Sequence, residues 1–186
     1  MNRITLSIAL LFFIILLLNA PFFSSDTETP QSTDTNEAWI PNYQAKNMQS
    51  KLFDKKGDIN HMEFATKMEH YDMLGFTLFS DPEYTIYTEK SEQPWKINAI
   101  EGTLYGDDRI ELEQNVKITS LNEEDFIQTI ETSYIEVDLT NKTVSSDQAV
   151  KIFGRDYVIA SNGFHANLLT RKIELIDHVQ TTYTRN

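Results

Sequence analysis

The chain has 186 residues, 40% of them hydrophobic, a formal net charge of −12 and no cysteine. That charge argues against nucleic acid and anionic lipid headgroups as docking partners, because like charges repel at such surfaces. The missing cysteines exclude disulfides, thiol chemistry, thiolate metal sites and a lipidated cysteine anchor.

In chain order, residues 1–3 precede an apolar run, Ile4 to Phe23, that carries no charge and has Thr5, Ser7 and Asn19 as its polar side chains. A run of about 20 residues at 1.5 Å each spans a bilayer core. Leu18 is bulky where a signal-peptide cleavage site wants a small residue, and Pro21 would follow the cut. An uncleaved anchor over 4–23 is therefore the expectation. Arg3 lies before the run, whereas Asp26, Glu28, Asp34 and Glu37 follow it. The asymmetry places the N-terminus in the cytoplasm and the rest of the chain outside. Residues 24–38 are dominated by Ser, Thr, Asp, Glu, Gln, Asn and Pro and read as a polar tether. One folded domain is expected over 39–186.

Within that domain a pattern recurs. Phe76-Thr77-Leu78 leads to Pro82, Ile110-Glu111-Leu112 to Val116, Val144-Ser145-Ser146 to Val150, and Ile173-Glu174-Leu175 to Val179. The anchors at 82, 116, 150 and 179 are spaced by 34, 34 and 29 residues. A fixed period of this size marks stacked supersecondary units. Apolar and polar residues alternate at period two, so the units are strands. Companion patterns precede the anchors at Phe64-Ala65-Thr66, Ile97-Asn98-Ala99, Ile130-Glu131-Thr132 and Ile159-Ala160-Ser161. Residues 62–74 have some helical propensity, but the repeat register predicts strand there. The result is an all-β domain with no helix longer than about two turns.

No catalytic constellation is present. His61, His70, His165 and His178 form no metal-binding spacing, and none of the six glycines builds a phosphate loop. Glu111, Glu113, Glu131, Glu136, Asp138 and Glu174 fall on the polar parity of their strands, as a solvated outer face requires. No enzyme, metal or cofactor is expected. Read at period two, the inward set includes Phe64, Phe76, Leu78, Tyr84, Ile110, Leu112, Ile135, Val150, Ile152, Phe164, Ile173, Leu175 and Val179. Two arrangements fit that set: a dry closed core, or an incompletely closed sandwich whose seam admits an apolar ligand. Gly57, after Lys55-Lys56, and Gly154, after Phe153, are expected to supply a backbone conformation or a close approach that a side chain would obstruct.

The stretches Pro41–Asn47, Leu52–Gly57, Trp95–Ala99, Val144–Asp147 through Phe153-Gly154, and Gly163 with Asn167-Leu168 resemble the LptC family of the lipopolysaccharide export machinery. The resemblance covers essentially the whole chain: one N-terminal span, a short tether and an OstA-like repeat domain. It implies an open β-jellyroll, two antiparallel sheets folded into a V. It also implies transfer of lipopolysaccharide from the inner-membrane ABC transporter, LptB with LptF and LptG, to the periplasmic protein LptA. Met48, Phe79 and Tyr183 then join the inward set as residues of a lipid trough. The first strand, near Tyr43 to Phe53, would face the transporter's own periplasmic jellyroll. The last strand, Val179 to Thr184, would receive LptA by strand addition, with Val179, Thr181 and Tyr183 continuing the trough. The alternative reading is a membrane-tethered β-sandwich scaffold that binds only proteins.

Residues 4–23 should remain on the mature protein in the inner membrane. Mass spectrometry of the mature N-terminus tests this; a start at Pro21 or Ser24 would identify a cleaved signal peptide instead.

Overall fold

The computed structural model describes residues 37–88 and 91–183. The expected anchor at 4–23 and most of the tether lie outside the described residues. A compact unit begins at Ala38. After a single turn of 3-10 helix, Glu37–Trp39, the described chain forms twelve antiparallel strands. These are β1 Tyr43–Phe53, β2 Ile59–Tyr71, β3 Phe76–Ser80, β4 Glu83–Thr88, β5 Ser91–Asn98 and β6 Glu101–Tyr105. There follow β7 Arg109–Ser120, β8 Thr129–Asp138, β9 Thr143–Phe153, β10 Tyr157–Asn167, β11 Lys172–Leu175 and β12 Gln180–Tyr183. The all-β expectation holds: of residues 62–74, expected as strand, 62–71 are strand and 72–74 form a turn.

The pairing divides the sheet into two leaves. On its side away from β1, β2 pairs β4 through His61–Phe64 and β3 through Lys67–Tyr71. Likewise β7 pairs β6 through Ile110–Glu113 and β5 through Lys117–Ser120. β3 and β6 therefore sit in one leaf, β4 and β5 in the other. The long strands β1, β2, β7, β8, β9 and β10 run through both leaves. β11 continues the first leaf along β10, and β12 continues the second.

The crease between the leaves follows from local backbone geometry. Asn47, Asp81, Gln114, Asn115, Gly163 and His178 all have positive φ, and they fall where the strands change leaf. Ladder register also shifts between Glu113 and Val116, between Thr132 and Glu136, and between Asn162 and Phe164. These are bulges, which bend a strand and leave a residue unpaired. The repeat anchors Pro82, Val116 and Val179 each directly follow one of the left-handed residues. The sequence period is thus the spacing of the crease.

One consequence corrects the period-two reading. A single left-handed residue turns the chain over, so the inward parity switches across it. In β10 the inward residue before the crease is Ser161 and after it Phe164; in β3–β4 it is Phe79 before Asp81 and Tyr84 after. Two consecutive left-handed residues, Gln114 and Asn115, restore parity, so Leu112 and Val116 both face inward. Phe76 and Leu78 were expected inside because parity was carried straight through to Tyr84. They are the half-buried set of β3, and Thr77 and Phe79 take the interior.

The core lies between the leaves. Ile110, Leu112, Ile135, Val137, Val144, Phe164 and Ala166 of the first leaf face Tyr84, Ile86, Trp95, Ile97, Val116, Ile118, Ile130, Val150 and Ile152 of the second. Burying each aliphatic or aromatic side chain of this kind contributes about 1.5–3 kcal/mol.

Gly163 is the tightest backbone position of the crease. Its φ is +108°, and a Cβ there would meet the Ser146 carbonyl oxygen at 2.9 Å. Gly163→Val should destabilise the domain by about 2–4 kcal/mol in urea unfolding. Gly57 also has positive φ, +90°, but open space around it, so Gly57→Ala should cost only about 1 kcal/mol. Equal losses at the two sites would mean that the crease does not need its close approach.

Candidate functional site

The interior between the leaves widens at one end of the array into a partly open cavity of about 190 Å³. Its first-leaf wall is Val144, Ala166, Leu168 and Ile173, and its second-leaf wall is Trp95, Ile118 and Ile130. Alternation positions both walls: Ile118 and Ile130 face each other as ladder partners, as do Ala166 and Ile173. The β7–β8 loop supplies Asp125, Phe126 and Ile127 at the rim, the end of β10 supplies Asn167 and the β10–β11 turn Arg171.

The loop is fixed to the second leaf. The Phe126 ring stacks on Tyr157 at 4.6 Å, and the Tyr157 hydroxyl donates to the Phe126 carbonyl. Gln128 N–H donates to the Phe153 carbonyl at 2.9 Å. Gly154 allows this arrangement: a Cβ there would lie 2.1 Å from the Tyr157 ring. Across the rim, Arg171 donates to the Asp125 carboxylate at 2.6 Å. Asp125 also accepts from Asn122 at 2.9 Å and from the Ser120 hydroxyl.

At the opposite end of the array the interior turns polar. His61 and Glu63 of β2 point inward and are buried. The Tyr84 hydroxyl donates to the Glu63 carboxylate at 2.5 Å. Burial raises the Glu63 carboxyl pKa, with that hydrogen bond opposing; burial also pushes the Tyr84 hydroxyl well up. His61 is pushed down to about 4 by burial and by the positive charge of Lys142, with Asp108 opposing. Lys142, in the β8–β9 turn, is itself buried and donates to the Asn60 carbonyl at 3.3 Å and to the Asn60 side chain. Burial lowers its pKa.

The expected trough residues divide into three groups. Tyr84, Ile110, Leu112, Ile135, Val150, Ile152 and Phe164 face the interior at 2% exposure or less, Phe79 at 5%. Ile173 and Leu175 are half-buried at the open end, and Met48 half-buried on β1. Phe64 is 38% exposed and turned outward, because β2 gives its inward positions to His61, Glu63 and Ala65. The alternation rule sends charge outward, but a hydrogen-bonded carboxylate can stay inside. Val179, Thr181 and Tyr183 are also exposed, Tyr183 at 78%, so these side chains do not extend the interior. The sequence reading missed Trp95, Ala166 and Ile127, and with them the rim pair Asp125 and Arg171. Trp95 was within reach, being two residues upstream of the inward Ile97. The rim pair was not, its partners being 46 positions apart.

Among the described residues, both edges of the array carry unpaired backbone: β1 pairs β2 alone, and β11 and β12 pair β10 alone. Tyr43, Leu52 and Phe53 on β1 are exposed, as are all four residues of β12. The carboxylates expected on the outer face are there: Lys117 pairs Glu131 at 3.2 Å and Lys172 pairs Glu174 at 2.6 Å, while Arg109 pairs Glu111. Among the described residues no group of three or more His, Asp or Glu could hold a metal ion.

The described residues form a creased two-leaf β-jellyroll around an apolar interior. The solved structure of LptH from Pseudomonas aeruginosa, the LptA-homologous periplasmic component of the conserved lipopolysaccharide transport device, has a similar fold. That structure aligns with a TM-score of 0.52 and 10% identity over 67% of this chain and 95% of LptH. The family model described as lipopolysaccharide-assembly, LptC-related matches residues 6–184, and the chain belongs to the LptC family. The lipopolysaccharide export system protein LptC of Haemophilus influenzae is 28% identical over 87% of this chain and 86% of its own. That of Escherichia coli K12 is 22% identical over 77% of this chain and 75% of its own.

The buried imidazole predicts an acid limb of stability. The folded-state pKa of His61, about 4, lies below its ordinary 6.5. As pH falls through that window the unfolded chain binds the proton first, so stability drops. Glu63, with a raised pKa, has the opposite sign and loses its contribution as pH rises. His61→Asn should therefore lose less melting temperature than the parent between about pH 7.5 and about pH 4.5. Equal losses in thermal unfolding would place the acid sensitivity elsewhere.

Proposed function

We propose that the protein receives lipopolysaccharide from the inner-membrane ABC transporter, LptB with LptF and LptG, holds its acyl chains between the two leaves, and passes it to LptA. The observation that carries this reading is the apolar interior, which runs from β4 and β5 to β10 and β11 and ends in a partly open cavity beside an unpaired edge. Each CH₂ moved from water into such an interior is worth roughly 0.8 kcal/mol, so a graded apolar path lets a multi-chain lipid cross an aqueous space. The chemistry is binding and handover; ATP hydrolysis belongs to the transporter. The N-terminal segment 4–23 anchors the chain in the inner membrane, and the β1 edge meets the transporter's periplasmic jellyroll.

LptA joins at the β11–β12 edge. Because Val179, Thr181 and Tyr183 are exposed, that contact rests on main-chain pairing along a strand with no proline or inward charge to block addition. Gly57 and Gly154 serve the partner contacts indirectly, through the β1–β2 turn and through Tyr157.

A second reading, a scaffold that binds only proteins, is favoured by one observation. Most of the core is closed, with Ile97, Leu112, Ile135 and Phe164 at 0% exposure.

A photo-crosslinker at Ile173 or Phe79 should capture lipopolysaccharide in transporting cells, and one at the outward Glu111 should not. Equal capture at all three, or none at any, would favour the scaffold. Deleting residues 178–186 should abolish LptA capture and leave the transporter complex intact. Full-strength LptA binding by the truncated protein would reverse the assigned polarity of the array.

A further inference from the structure

Lys67, Lys96, Lys117, Arg171 and Lys172 each lie within 3.2 Å of a carboxylate oxygen, although each of these side chains is at least 36% exposed. Lys142 is 6% exposed and, among the described residues, pairs with no carboxylate. Its Nζ donates to the carbonyl and side-chain oxygens of Asn60, both neutral acceptors. The carboxylates of the surrounding elements are engaged elsewhere: Asp108 accepts from Thr140 at 3.3 Å, and Glu63 accepts from Tyr84. Burying an ammonium without an anion is unfavourable, and burial lowers the Lys142 pKa.

The turn does not call for lysine either. Lys142 ends the β8–β9 turn with a φ of +55°, a left-handed conformation that asparagine and glycine adopt at lower cost. A residue that suits neither its backbone nor its burial needs another reason to be there.

Its place in the fold supplies one. Lys142 belongs to the first leaf, and Asn60 to the second, on β2, one strand in from the β1 edge. Their contact crosses the mouth of the V, where the far turns of the two leaves meet, at the end of the array nearest β1. A lipid whose chains lie between the leaves has its headgroup at that mouth. Parting the leaves there leaves the ammonium without a partner unless the lipid brings one. A phosphate does so. An ammonium has three donors, of which Asn60 takes two, and hydrogen bonds from a cation to phosphate oxygens are stronger than those to a neutral amide.

We propose that Lys142 is an anion site at the receiving end of the mouth, where a phosphate monoester on the lipid headgroup takes the place of Asn60. The contact between the leaves then opens where cargo arrives, because the cargo replaces the bonds it breaks. Asn60 recovers the ammonium when the lipid moves on towards β10 and β11. This rests on the trough reading above and follows its direction of transfer.

The test uses the full-length protein in its transporter complex in proteoliposomes, with a photo-crosslinker at Phe79. Lipopolysaccharide is supplied before and after removal of its lipid phosphates. Capture of the phosphorylated lipid should fall about tenfold in Lys142→Met, which keeps the bulk and loses the charge. It should hold in Lys142→Arg, and it should not fall in Asn60→Ala, because Asn60 is the group displaced. The parent and Lys142→Met should capture the dephosphorylated lipid equally. Equal capture of the phosphorylated lipid by the parent and Lys142→Met overturns the site. So do equal losses in Lys142→Met and Asn60→Ala, which would make the contact a structural clasp, and so does a Lys142→Met protein that loses both lipids alike. Millimolar inorganic phosphate should leave capture unchanged, because the acyl chains hold the lipid's own phosphate beside the ammonium. Loss of capture in that arm would assign the site to free phosphate and overturn the lipid assignment. No capture of either lipid by the parent fails the trough reading itself, and the site falls with it.

Discussion

Everything in this domain depends on the crease. Six long strands would, if straight, make one sheet with two solvent-facing sides and no interior. Left-handed residues at Asn47, Asp81, Gln114, Asn115, Gly163 and His178 bend the array along one line, so that the two halves of each strand face each other. The hydrophobic gain then comes from leaf against leaf. Asn and Asp tolerate the left-handed conformation better than most residues, and glycine tolerates it freely. These residues dominate the line, although Gln114 and His178 show that the requirement is geometric and not strictly compositional.

The crease also grades the interior. Near β2 the inward positions hold His61, hydrogen-bonded to Asn60, and Glu63, which accepts from Tyr84. Near β10 they hold Ala166, Leu168 and Ile173, with the cavity between them and Trp95. At the polar end the buried Lys142 meets Asn60; at the apolar end Arg171, 37% exposed, meets Asp125, 13% exposed.

The two edges are unequal as well. β1 is an 11-residue edge with exposed Tyr43, Leu52 and Phe53, while β11 and β12 are four-residue strands separated at the crease by His178. Strand addition at the shorter edge is the easier to reverse, because fewer main-chain bonds must be broken.

The strand content, the repeat spacing and most of the core were legible in the sequence, because period-two alternation is a local property and each strand carries its own copy. Ile110, Leu112, Ile118, Ile130, Val150 and Ile152 follow from it directly. Alternation stops being informative where a backbone torsion changes sign. The sequence carries no mark that Asp81 turns the chain over once whereas Gln114 and Asn115 do so twice, and that alone put Phe79 inside in place of Phe76 and Leu78. The side chains that close the mouth were equally hidden. Asp125 and Arg171, or Asn60 and Lys142, meet only because the crease folds distant turns onto one another. The sequence determined which residues could form an interior; the tertiary structure decided which face of each strand looked into it, and which polar pairs met at its rim, because both depend on how the leaves are brought together.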